Sequence, residues 1–186
     1  MKTRTVRADD GEVVALKTTE AVGQRAVRAL HQATRKWGVD FNLNMVEEEV
    51  AELVAAHNRW LRGRIDEKEL ACEVADVLIV TTHAAMLGSE QRLTYGIEMI
   101  RAQHHLKHRH QSIDMYFLLI RKNAGGVISG LASPLGDRDK LEAIMPNVCA
   151  IWAACLPVGP RLTGFDEELL SKIKRLEERT STHAEG

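Results

Sequence analysis

Carboxylates at helical spacing mark two stretches of the sequence, VEEEVAEL and ACEVADVL. Acids three positions apart share a helix face, which applies to Glu49 with Glu52 and to Glu73 with Asp76. The second pair stands in a nearly continuous apolar run, which is typical of a buried helix. Two ionised carboxylates in that setting need a counter-charge. Mg²⁺ or Mn²⁺ would supply it, because hard divalent cations take oxygen ligands and carboxylates from facing helices can meet around them.

The two stretches, taken in order, resemble the signature of a known family. Glu48-Glu49-Val50-Ala51-Glu52, twenty intervening residues and Glu73-Val74-Ala75-Asp76 resemble the EExxE…ExxD signature of the MazG-like, all-α nucleoside triphosphate pyrophosphohydrolases. The resemblance covers roughly residues 20 to 110. It implies an all-α, multi-helix bundle that hydrolyses a (deoxy)nucleoside triphosphate to the monophosphate and pyrophosphate with Mg²⁺ or Mn²⁺ as cofactor.

The resemblance also implies a role for each acid. It makes Glu49, Glu52, Glu73 and Asp76 the metal ligands and Glu48 the candidate general base, or a residue that supports the ligands. Cleavage between the α- and β-phosphates requires charge stabilisation on phosphoryl oxygens while a water attacks in line, and bound divalent cations provide it. A solvated acidic helix face is the alternative, and we prefer that alternative for Glu47.

Cations that hold the outer phosphates are expected near the end of a fourth helical segment. The family commonly has a Lys and an Asn there, whereas this chain has Lys107 with His104 in place of the Asn, and Arg101 one turn earlier. We take these three as candidate substrate contacts. The alternative is a cationic last turn that complements the helix dipole.

Aromatic and amide side chains are the candidates for recognition of the base. Trp37 and Trp60 offer stacking surfaces, although a Trp in such a position is more often a core residue. Asn42 and Asn44 carry both a donor and an acceptor, and we take Asn44 with Trp37 as substrate contacts. A purine gives more stacking area than a pyrimidine, which slightly favours (d)GTP over dUTP or dCTP.

Composition bounds the class of protein. The 186 residues carry a formal net charge of −1, which argues against general nucleic-acid binding. The three cysteines do not have the spacing of a metal site, which suggests a reducing compartment. We find no apolar run near the roughly 20 residues that span a membrane and no secretory signal. The expectation is a cytoplasmic protein that does not act on a membrane.

Hydrophobic periodicity and helix breakers predict the elements that carry these residues. Residues 1–18 are expected to form a tail with a short strand at 12–16. Helices are expected at 20–37, 45–62, 67–87, 92–110, 113–123, 137–157 and 165–180. The expected caps and stops are Thr19, Gly38, Gly63, Asp66, Gly88-Ser89 and Gly125-Gly126.

Three parts follow from this pattern: the tail, a metal-binding helical half at 19–111 and a second helical half at 112–186. A shift of 71 positions aligns several residues of the two halves and puts Ile144 and Asn147 under Glu73 and Asp76. The second half would then be a degenerate repeat packed on the first. Members of the family commonly form dimers or larger homo-oligomers in which one chain helps to bind substrate held by another, and a duplicated chain could do this internally.

Two other classes of function remain open. The acids could hold a structural ion in a non-catalytic interaction module, which predicts metal binding without turnover. Alternatively, the chain could hydrolyse another phosphorylated nucleotide at a site that uses Arg121 and Lys122.

Overall fold

A computed structural model of the protein describes residues 10–91 and 112–181, with side chains over 24–88 and 112–181. Helix dominates both ranges and the helices pack together, so the predicted all-α, multi-helix architecture is confirmed. A short 3₁₀ turn, Gly159–Arg161, precedes the last helix. The described residues form five α-helices, which are α1 (Asp10–Leu61), α2 (Glu67–Gln91), α3 (Ile113–Leu131), α4 (Asp137–Val158) and α5 (Phe165–Ser181).

Helix α1 consists of two helices that meet at Gly38, whose φ of 79° and ψ of 175° are not helical. The predicted stop at Gly38 is therefore correct, but the helix resumes at once and the expected turn through residue 44 is wrong. The predicted strand at residues 12–16 is also wrong, because α1 already begins at Asp10. A lone strand leaves its backbone groups unpaired, whereas a helix pairs them within itself.

Helix α2 begins as the sequence predicts and ends later. The Asp66 side chain caps it, since Oδ1 accepts a hydrogen bond of 2.8 Å from the Glu69 backbone N–H. Gly63, with a φ of 63°, lies in the turn before it. The predicted stop at Gly88-Ser89 is wrong because the helix continues to Gln91. A glycine lowers helix propensity by only about 1 kcal/mol, which tertiary packing can offset.

The second half contains the three predicted helices, with one difference in length. Helix α3 passes through Gly125-Gly126 to Leu131 instead of ending near residue 123. One reason is close packing, because a Cβ on Gly130 would lie 2.5 Å from Cγ2 of Ile144 on α4. Pro146 lies inside α4, which nevertheless runs continuously to Val158.

In the part of the chain that the structure describes, four of the helices form two hairpins. The C-terminal part of α1 pairs with α2, α3 pairs with α4, and the hairpins pack through α2 against α4 and α1 against α3. Helix α5 then crosses back over α1 and α2. The largest fully buried side chains come from both hairpins and include Leu43, Leu53, Leu70, Phe117, Ile120, Leu141, Ile144, Met145 and Ile151.

Two of the described helical stretches, Glu67–Gly88 and Asp137–Arg161, are long and apolar enough to cross a membrane. The prediction that no apolar run approaches the length of a membrane span is therefore wrong, judged by length and composition alone. In each stretch 56% of the apolar window is buried inside the bundle, as it is in core helices of soluble proteins. Burial accounts for the apolar character, and the cytoplasmic location stays a prediction.

Candidate active site

Three of the predicted metal ligands converge between α1 and α2. Glu49, Glu52 and Glu73 each place a carboxylate oxygen within 4.8 Å of the other two. We call these three residues the acid cluster. Glu49 and Glu52 share one face of α1. The buried side chains of Val50 and Leu53 beside them pack this helix against the core.

The fourth predicted ligand, Asp76, has a different partner. It lies one turn after Glu73 on α2, but its carboxylate accepts a hydrogen bond from the Lys172 ammonium of α5 and forms an ion pair with it. Both side chains are largely buried, with 12% of Lys172 and 25% of Asp76 exposed. The arrangement therefore joins a residue of the first hairpin to the last helix.

Crowding and burial change the protonation of these acids. Burial, followed by the charges of Asp76 and Glu52, raises the pKa of Glu49 to about 7. The same three causes raise the pKa of Glu73 above its ordinary value. Burial also raises the pKa of Asp76, an effect that the hydrogen bond from Lys172 opposes. The nearby cations thus do not balance the negative charge, and oxygen donors converging from two helices suit Mg²⁺ or Mn²⁺.

A cavity of about 240 Å³ extends from this acidic end between α1, α2 and α5. Glu49 and Asp76 line one end of it, and His83 of α2 lines the cavity about two helical turns further along. Its other lining residues are Leu30, Ala33, Trp37, Phe41, Asn42, Met45, Ile79, Val80, Lys172, Arg175, Leu176 and Arg179.

The α1 wall of the cavity combines aromatic and amide groups. The rings of Trp37 and Phe41 are tilted against each other with centroids 5.5 Å apart. The Asn42 side-chain NH₂ donates to the Gly38 carbonyl, and Asn42 lines the cavity. Of the two asparagines considered from the sequence, Asn42 lines the cavity and the exposed Asn44 does not.

His83 is a buried polar group on the α2 wall. Its Nε2 lies 2.6 Å from the Thr34 hydroxyl oxygen, and that hydroxyl lies 3.2 Å from the Leu30 carbonyl, to which it donates. Nε2 is therefore the donor to Thr34. Burial, together with the nearby His31, lowers the pKa of His83 to about 4, so the ring is neutral at physiological pH.

The cations that border the cavity come from α5, a helix that was not predicted from the sequence to contribute to the site. Lys172, Arg175 and Arg179 recur at i, i+3 and i+7 and all line the cavity. That spacing was visible in the sequence. It gave no clear signal, because acidic residues such as Glu177 and Glu178 are interspersed with it and nothing local indicated which face of α5 meets the first half.

The other predicted site residues divide into three groups. Trp37 lines the cavity as expected. Glu48 is exposed and lies outside both the acid cluster and the cavity lining. The predicted phosphate contacts Lys107, His104 and Arg101 lie outside the described residues.

Arg121, which with Lys122 was the candidate for an alternative nucleotide site, is hydrogen-bonded to other side chains of the protein. Arg121 donates hydrogen bonds of 2.8 Å to Nδ1 of His57 and 2.6 Å to Oδ1 of Asn58. The His57 ring stacks on Phe117 with centroids 3.7 Å apart, and burial, together with Arg121, lowers its pKa to about 4. Arg121 therefore helps to hold the two hairpins together.

Comparison of the chain with protein-family models, with curated proteins and with solved structures gives no match.

Proposed function

We propose that the protein is a divalent-metal-dependent hydrolase that converts a (deoxy)nucleoside triphosphate to the monophosphate and pyrophosphate. One observation carries the proposal. The acid cluster is built from two helices joined by a short turn, and its member Glu49 lines one end of the cavity together with Asp76. The wall of this cavity is aromatic along α1 and cationic along α5. Metal-binding acids, a phosphate-compatible wall and a base-sized apolar space are the three parts that this reaction needs.

The carboxylates would act as ligands in this reaction. Glu49, Glu52 and Glu73 would hold Mg²⁺ or Mn²⁺, with Asp76 as the adjacent fourth ligand. A bound divalent cation stabilises charge on phosphoryl oxygens and lowers the pKa of a coordinated water. Glu48 is exposed outside the cavity, so we leave the general base unassigned.

The aromatic part of the cavity would bind the base. Trp37 and Phe41 offer ring faces, and Oδ1 of Asn42 offers an acceptor for an N–H group on the base edge. An acceptor at this position favours bases that present an N–H or NH₂ group, which includes guanine. The slight preference for (d)GTP over dUTP or dCTP stays a prediction, as does a homo-oligomeric state.

A substrate panel with product analysis tests the proposed reaction. All ribo- and deoxynucleoside triphosphates are incubated with Mg²⁺ or Mn²⁺ in ¹⁸O-labelled water. We expect a labelled monophosphate and intact pyrophosphate, with orthophosphate only after an inorganic pyrophosphatase is added. A diphosphate product with free orthophosphate would contradict the proposal. Metal binding without turnover of any triphosphate would favour the non-catalytic interaction module instead.

Matched variants connect this activity with the acid cluster. Glu73→Gln should lower kcat roughly 100-fold or more, because removal of a group that supports transition-state charge stabilisation commonly has this effect. Glu47→Gln, on the same helix as Glu49 but outside the cluster, should retain activity near that of the wild type. Full activity in Glu73→Gln would remove the acid cluster from the reaction.

A further inference from the structure

The face of α5 that borders the cavity is a continuous row of cations. Lys172, Arg175 and Arg179 line the cavity together with Leu176, so all four residues lie on one face of the helix. At 1.5 Å of rise per residue, the first and last cations are about 10 Å apart along the helix axis. We call Lys172, Arg175 and Arg179 the α5 cation row.

Two acids of α5, Glu177 and Glu178, contact cations outside this row. Glu177 pairs with Arg25 of α1, and Glu178 lies 3.9 Å from the ammonium of Lys174 on the solvent side. Arg175 donates to the Ser171 hydroxyl, and within the described part of the chain no carboxylate lies within ion-pair distance of it. The Arg175 guanidinium therefore places a positive charge at the cavity wall opposite the aromatic wall of α1.

Lys172 connects the row to the acidic end of the cavity. Its ammonium contacts Asp76, which is one helical turn from Glu73. A lysine has a flexible four-carbon stem and three donors, so it can change partners without movement of the backbone. Arginine, in contrast, presents a planar fork that suits the paired oxygens of a phosphate.

We propose that the α5 cation row binds the phosphate chain of the substrate, and that Lys172 exchanges Asp76 for a phosphate oxygen when the phosphates bind. This inference rests on the proposed function and adds to it a role for the second half of the chain. The first half holds the acid cluster, and the last helix of the second half supplies the phosphate site beside it. Asp76 becomes available as a metal ligand when Lys172 leaves it.

Calorimetric titration of the full chain with inorganic triphosphate tests the phosphate site without any hydrolysis of a nucleotide. Arg175→Gln and Lys172→Met should each weaken binding roughly 10-fold, since a hydrogen bond between charged partners typically contributes that factor or more. Lys174→Gln is the matched control, because its side chain is 71% exposed and lies away from the cavity lining. We expect it to bind as the wild type does. Equal losses in Lys174→Gln and Arg175→Gln would overturn the proposal.

Titration with Mn²⁺ in the absence of phosphate tests the exchange of Lys172. Lys172→Met should bind Mn²⁺ several-fold more tightly than the wild type, because Asp76 loses its counter-charge, while the same variant binds triphosphate more weakly. Lys172→Arg should retain triphosphate binding within a few-fold. General damage to the fold would weaken the binding of Mn²⁺ and of triphosphate together. Weaker binding of both ligands by a folded Lys172→Met protein would overturn the proposed exchange.

Failure of this inference is distinguishable from failure of the proposed function. If nucleoside triphosphates are hydrolysed but Arg175→Gln and Lys172→Met bind inorganic triphosphate normally, the α5 cation row is not the phosphate site. If the row binds inorganic triphosphate but no nucleotide is hydrolysed, the row is supported and the proposed reaction is contradicted.

Discussion

At the scale of single residues, the site depends on carboxylates that repel each other. Glu49 is the clearest case, because burial and the charges of Asp76, Glu52 and Glu73 raise its pKa from 4.5 to about 7. The folded protein therefore holds this proton more tightly than the unfolded chain does. Ionisation of Glu49 destabilises the folded state progressively from pH 4.5 to 7 and by a constant amount at higher pH.

Glu49→Gln should consequently stabilise the metal-free protein at pH 8. We expect a gain of about 1 to 2 kcal/mol in the free energy of unfolding after allowance for solvent screening of this half-buried group. The gain should disappear as the pH falls to about 4.5. Urea denaturation in the presence of a chelator, from pH 4.5 to 8, measures it.

His57 and His83 lower stability as the pH falls, whereas Glu49 lowers it as the pH rises. The two histidines are present in both the wild type and Glu49→Gln, so their effect cancels in the difference between the two proteins. His57 and His83 have pKa values lowered to about 4, so both proteins lose stability as the pH falls from 6.5 to 4. Glu47→Gln is the control on the same helix. A constant difference between Glu49→Gln and the wild type at every pH would contradict the assignment of Glu49 to a crowded cluster.

At the scale of elements, close packing of α3 on α4 explains why a glycine-rich segment is helical. A Cβ on Gly130 would lie 2.5 Å from Cγ2 of Ile144, which is fully buried, whereas a Cβ on Gly125 would contact nothing within 4 Å. The packing therefore requires a glycine at position 130 and does not require one at position 125 of the same helix.

Alanine substitutions at these two glycines should change stability with opposite signs. Gly130→Ala should lower the free energy of unfolding by about 1 to 3 kcal/mol through overpacking against Ile144. Gly125→Ala should raise it by roughly 0.5 to 1 kcal/mol, because alanine restricts the unfolded chain and favours helix. Denaturant unfolding of both variants measures the difference. Equal effects of the two substitutions would show that α3 does not approach α4 closely at Gly130.

At the scale of the whole molecule, a ligand that binds only the folded acid cluster must stabilise the entire bundle. Glu49 and Asp76 come from different helices and meet only after α1 and α2 have packed together. Binding of a divalent cation at this place is therefore linked to folding.

Mn²⁺ at 100 times its dissociation constant should raise the free energy of unfolding by about 2.7 kcal/mol. For a chain of this length that corresponds to a rise in Tm of roughly 5 to 10 °C. The double variant Glu49→Gln, Asp76→Asn should show little rise in Tm with Mn²⁺. Differential scanning calorimetry measures both shifts, and equal rises in the two proteins would locate the ion elsewhere.

The sequence by itself determined the helical class, several helix boundaries and the convergence of the acids. Periodic apolar residues, the Asp66 cap and the glycine at position 63 predicted α2, and the last two helices were predicted almost to their ends. The convergence of Glu49, Glu52 and Glu73 was also predictable. Helices joined by a short turn must lie side by side, so acids on their facing surfaces come together.

Only the tertiary structure decided what closes the cavity. Lys172 and Asp76 are separated by 96 residues, and their contact depends on the path of α5 across the first hairpin. Packing likewise decided that Asn42 and not Asn44 lines the cavity, and that Arg121 is directed to His57 inside the bundle. Local sequence sets backbone preferences within a few residues, whereas these contacts depend on how separately formed surfaces fit together.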